Sequence, residues 1–198
     1  MHTSFFKPFY FSVLGIVLVI LLFFCTFIPI FSNQYSFEIS DDSFTTILNG
    51  TGLLWPTPGY TTITSYFGKR NAPTSGASTY HSGIDIGAPT GANIVAVCSG
   101  EVTFLGFSGA GGYTITIKNE TFTTSYCHVS PDFQVYVGQH IRKGQVIGIV
   151  GPKNVYGVPN NPYRDKNGNP TNGATTGPHL HFTLRKNGEL VNPLDYIR

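Results

Sequence analysis

The chain is 198 residues long with a net charge of +2 at neutral pH, enough for one domain of ordinary size with a buried core. Charged residues make up only 11%, against roughly 25% in an average globular protein. The positive balance is too mild to argue for nucleic acid binding.

The first predicted element is a membrane span. Phe9 to Phe31 carries no charge, and its 23 residues would cover roughly 34 Å as a helix, more than the roughly 30 Å hydrocarbon core. It is too long for a signal-peptide apolar stretch, and no small-x-small cleavage site follows it. Cys25, in LFFC, is a poor lipoprotein signal because large Phe residues precede it. Lys7 and the amino terminus lie before the span, Glu38, Asp41 and Asp42 follow it, and the next lysine is Lys69. The positive-inside bias therefore predicts a cytoplasmic tail over residues 1–8 and an anchor over 9–31, with everything after it outside. Residues 32–54 are polar, mildly acidic and aperiodic, as expected of an extracytoplasmic linker. Residues 55–198, rich in Gly, Thr, Val, Ile and Tyr, form the expected domain.

That domain reads as strands rather than helices. Thr61 to Phe67, Asn93 to Phe107, Tyr113 to Lys118, Thr121 to Val129, Gln134 to Val137, Gln145 to Val150 and Leu180 to Arg185 are short β-branched or aromatic runs between turn residues. Lys118-Asn119-Glu120 and Lys186-Asn187-Gly188 are hairpin signals. The expected fold class is all-β, a compact antiparallel sheet or sandwich. Gly151 to Pro178, full of Pro, Asn and Gly, is the exception; its position just before a histidine pair suggests the wall of a groove.

The chemistry concentrates in four of the six histidines. His179 and His181 in GPHLHF alternate on an extended strand and so share a face. His81 and Asp85 in HSGID lie four apart, roughly 13 Å in a straight strand, so a shared metal needs a bend, for which Gly83 supplies the freedom. Two nitrogens on one face, with a His and a carboxylate from elsewhere, fit a catalytic zinc site of three ligands and an open position. His128, in TSYCHVS, completes the set. Alternation puts Tyr126 and His128 on one face and Cys127 on the other, which disfavours a Cys127–His128 nucleophile dyad. Cys127 is then either a small core residue or a disulfide partner for Cys98. His2 and His140 have no companions. HExxH and GxSxG are absent, and no carboxylate pair stands out.

At these residues the chain resembles the lysostaphin and LytM type of zinc metalloendopeptidase, which cleaves peptide bonds in bacterial peptidoglycan. The resemblance runs from Trp55 to about Ile197 through WPTPGYTTITSYFGKR, HSGIDIGAPTGANIVAVCSGEV, YCHVS, VGQHIRKGQVIGIVG and GPHLHF. It implies one Zn²⁺ per chain held by His81, Asp85 and His181, with His179 and His128 as catalytic histidines beside it. It further implies a LytM-type fold, and hydrolysis of a peptidoglycan stem peptide or cross-bridge by a zinc-activated water. His179 is expected as general base, with His128 bonding the developing oxyanion or protonating the leaving amine. No nucleic acid and no obligate protein partner is expected. The rival readings are a non-catalytic module of the same fold that binds the wall or activates other hydrolases, a carrier-type domain, and a closed structural zinc site.

Overall fold

A computed structural model describes residues 52–198; the expected anchor and most of the expected linker lie outside the described residues. Twelve strands follow in order: β1 (Ile63–Ser65), β2 (Gly68–Lys69), β3 (Tyr80–His81), β4 (Ile84–Ile86), β5 (Asn93–Val95), β6 (Gly100–Phe107), β7 (Tyr113–Lys118), β8 (Phe122–Cys127), β9 (His140–Ile141), β10 (Val146–Ile149), β11 (Leu180–Lys186) and β12 (Glu189–Val191). The main sheet runs β1-β4-β11-β8-β7-β6-β9, with β12 also on β11. β5 pairs with β10 and β2 with β3 in two small sheets, and every strand pair is antiparallel. Among the described residues there is no α-helix, only two short 3₁₀ turns. The all-β antiparallel expectation holds for this region.

Strand alternation divides the main sheet into two faces of opposite character. Leu180, Phe182 and Leu184 of β11, Thr124 and Tyr126 of β8, and Ile115 and Ile117 of β7 are fully buried. β5 and β10 add Ile94 and Ile147 to the same core cluster. Each such side chain contributes roughly 1.5–3 kcal/mol by leaving water. The Tyr126 ring packs on Phe182 with centroids 5.3 Å apart, and its hydroxyl accepts a bond from Val97 N at 2.9 Å. His181, Thr183, Ser125, Cys127, Thr114 and Thr116 alternate with these residues and line a groove on the other face.

Several expectations need correction. The run from Asn93 to Phe107 is two strands, because β5 pairs with β10 while β6 pairs with β7 and β9, and residues 96–99 carry the chain from one sheet to the other. Gln134 to Val137 forms no strand; Tyr136 and Val137 are exposed, and it is the turn after the segment that meets β6, Gly138 N donating to Val102 O and Val102 N to Gln139 O. β3, β4, β9 and β12, each two or three residues long, carry too little periodicity to read. Cys98 and Cys127 are both free and buried. They cannot pair because Cys98 belongs to the core cluster while Cys127 lies under the groove.

Leu53, at the end of the segment expected as linker, is hydrogen-bonded to both Tyr196 and Arg198, and Leu54 N donates to Val97 O. Both hairpin turns form as expected, Asn187 (φ 51°) and Gly188 (φ 86°) taking the left-handed conformation that an Asn-Gly turn requires.

Candidate metal centre and its histidines

Register brings the distant motifs together. Asp85 of β4 sits opposite His181 of β11 and also opposite Ser65 of β1, while His81 of β3 pairs with Gly68 of β2. Gly83, between His81 and Asp85, is required for a different reason than expected. Its φ is not in the left-handed region; a Cβ there would stand 2.1 Å from Phe182 O. Close approach of β4 to β11, not a glycine-only bend, makes the position glycine.

Three ligand-type atoms converge as a result. His81 Nε2, Asp85 Oδ1 and His181 Nδ1 form a triangle with sides of 3.0, 2.8 and 2.9 Å. The outer nitrogen of each ring faces an acceptor: His81 Nδ1 lies 2.8 Å from Tyr66 O, and His181 Nε2 lies 3.1 Å from Thr183 Oγ1. A proton on each outer nitrogen leaves lone pairs on the two inner ones. Burial tends to raise the pKa of Asp85, but contacts with His181 and His81 and the charge of His179 outweigh it and hold the carboxyl well below the usual range. Burial lowers the pKa of His181. Two imidazole nitrogens and one carboxylate oxygen therefore converge on one point. That donor set, two imidazole nitrogens and one carboxylate oxygen within reach of one ion, is of the kind zinc takes.

The other two histidines stand beside this triangle. His179 Nε2 is 3.6 Å from Asp85 Oδ1, and the His128 and His179 rings are 4.7 Å apart. Both rings point Nδ1 at a backbone carbonyl, His128 to Asn172 O at 2.6 Å and His179 to Gly177 O at 2.9 Å. These bonds place a proton on Nδ1 in each and turn Nε2 towards the groove. Burial first, and the nearby His179 and His181 second, lower the pKa of His128 to about 3.

Alternation misplaced His128. β8 ends at Cys127, and His128 takes φ 58°, so its ring joins the groove face rather than following Tyr126 into the core. Backbone bonds from His128 N to Gly111 O and from Gly151 N to His128 O hold this unusual conformation.

Three supporting residues go beyond those read from the sequence. Arg70, at the end of SYFGKR, donates through Nη1 to Ser65 Oγ at 2.6 Å and to Asp85 Oδ2 at 3.2 Å, leaving Oδ1 to the histidines. Asn172, inside the long loop, bonds Tyr113 N, Val129 O and His128 at once. Thr183 orients His181. The loop also supplies Ala174 and Thr176 to the groove wall. The groove as a whole has a volume of about 590 Å³.

Comparison with known proteins gives one consistent answer. The model of "Peptidase family M23" matches residues 79–193. "DD-carboxypeptidase/endopeptidase Mpg" of Neisseria meningitidis is 35% identical over 68% of the chain and 27% of its own length. "Murein hydrolase activator NlpD" of Salmonella dublin is 29% identical over 72% of the chain and 30% of its own. The chain thus spans about a quarter of the length of the first of these relatives. Among solved structures, a zinc-containing peptidase from Vibrio cholerae matches with a TM-score of 0.56 at 28% identity, over 72% of this chain and 39% of that one. The catalytic domain of the prophage-encoded M23 protein EnpA from Enterococcus faecalis, as a point mutant, matches with a TM-score of 0.52 at 30% identity, over 73% and 96%.

Proposed function

The chain belongs to peptidase family M23, and from that premise we propose that it is a membrane-tethered zinc endopeptidase acting on peptide bonds of bacterial peptidoglycan. The observation that carries this reading is the convergence of three ligand-type atoms, from His81, Asp85 and His181, with two further histidines beside them. His81, Asp85 and His181 would hold the metal. A zinc ion there would polarise the scissile carbonyl and bring a water's pKa from about 15.7 towards 7.

His179 and His128 have different roles. His179 Nε2, at the edge of the triangle, takes the proton of the attacking water and returns it to the leaving amine. His128, deeply buried with its pKa lowered to about 3, is a poor proton store. Its Nε2 instead accepts a hydrogen bond and orients the group that donates it. Donation from His128 Nε2 to an oxyanion would need the other tautomer, which the Asn172 carbonyl opposes. The uncharged run over residues 9–31 supports the tether, and the acids that follow it support an extracytoplasmic domain facing the wall.

The similarity to a hydrolase activator favours one alternative, a non-catalytic module. The complete ligand set speaks for catalysis. The test is release of new free amines from purified peptidoglycan by the full chain in detergent, with and without a zinc chelator. Release that the chelator abolishes and added zinc restores is expected. No release from folded, zinc-loaded protein would move the function to the activator reading.

A further inference from the structure

Register arranges the groove face in three rows across neighbouring strands. The first is Ser65, Asp85, His181, Cys127 and Thr114. The second is Thr183, Ser125 and Thr116, a hydroxyl row in which Thr116 Oγ1 and Ser125 Oγ are 3.1 Å apart. The third begins with Arg185, opposite Thr123. His181, Thr183 and Arg185 all line the groove, so the floor leads from the metal centre over hydroxyls to a guanidinium.

Charge along this floor is lopsided. Asp85 is the sole carboxylate lining the groove, and both its oxygens are engaged, Oδ1 by histidines and Oδ2 by Arg70. Arg70 is thereby paired through Nη1, although its buried Nε has no hydrogen-bond partner. Arg185 is exposed and has no carboxylate within ion-pairing distance among the described residues. Its Nη1 donates to Gly188 O at 3.1 Å, which ties the side chain to the β11–β12 turn and leaves its other donors for a ligand. Lys118, further along the row, stands opposite Glu101 in register and does not line the groove.

We propose that Arg185 forms an anion-binding subsite that takes a substrate carboxylate two to four residues from the scissile bond. Four residue steps along the strand separate its Cα from that of His181 by roughly 13 Å, and the Arg side chain shortens that reach. This deepens, and rests on, the peptidase reading, and selects a carboxylate-bearing stem peptide over a neutral bridge. A hydroxyl floor suits a peptide backbone, and a guanidinium suits a carboxylate better than an amide.

The test uses two synthetic cross-linked stem peptides of one sequence, one with free carboxylates and one with every carboxylate converted to carboxamide. Binding and cleavage of each are measured with the full wild-type chain, Arg185→Gln and Arg185→Lys, with thermal melting to verify folding. Wild type should prefer the carboxylate peptide by about tenfold in both readouts. Arg185→Gln should erase that preference while keeping its binding of the carboxamide peptide, Arg185→Lys should restore part of it, and added salt should shrink it. Equal loss on both peptides, or no preference in wild type, would overturn the subsite. Discrimination in binding without any cleavage would instead sink the peptidase reading and leave the subsite standing.

Discussion

The two faces of β7, β8 and β11 use the same backbone for opposite ends. On one face Phe182, Leu184, Tyr126, Ile115 and Ile117 are excluded from water and interchange only at a cost in packing. One residue further along each strand, His181, Thr183, Ser125 and Thr114 line the groove. Because strand alternation has a period of two, every core residue also fixes the height and direction of its groove neighbours. The core face therefore sets stability, the groove face sets chemistry, and substitutions should separate cleanly between them.

Asp85→Ala should break the groove face most severely. It removes the only anionic ligand and strands Arg70, so peptidase activity should fall by at least ~1,000-fold, measured as amine release under saturating zinc. Phe182→Ala acts on the other face. A loss of about 3–5 kcal/mol in denaturant unfolding is expected, with zinc affinity of the protein that remains folded little changed. If zinc affinity collapses with Phe182→Ala under native conditions, the two faces are not separable.

Arg70→Gln sharpens the comparison from the groove side. It frees Asp85 Oδ2 and should weaken zinc binding by about 10- to 100-fold, measured by competition with a chelating dye. Melting temperature should move far less than with Phe182→Ala.

The smallest effect concerns pH. The pKa of His128 in the folded protein is depressed to about 3 by burial and then by its histidine neighbours. Its contribution to stability is complete above the unfolded pKa of about 6.5 and is lost as pH falls from there towards 3. Unfolding of His128→Gln should accordingly show a shallower loss over that window than unfolding of wild type, both without metal.

Much of this division was legible in the residues. HxH on a strand announced a shared face, and both hairpin turns announced themselves through Asn. What failed to show was whatever depended on a local break in periodicity or on a contact across the fold. His128 was assigned to the wrong face because nothing around TSYCHVS signals φ 58°. β3 and β4 are too short for alternation to reveal, although they carry His81 and Asp85. Arg70 lies 15 residues from Asp85, and Asn172 lies 44 from His128, so their roles exist only once the sheet is assembled. Thr183 is an exception in principle, since alternation from His181 placed it on the same face.

The most direct measurement is metal stoichiometry of the full chain, purified with zinc, in wild type, His181→Ala and His179→Ala. One zinc per chain in wild type, none in His181→Ala, and one in a His179→Ala protein without peptidase activity is the expected pattern. Zinc lost from His179→Ala and kept by His181→Ala would contradict the division of the histidines into ligands and proton carriers.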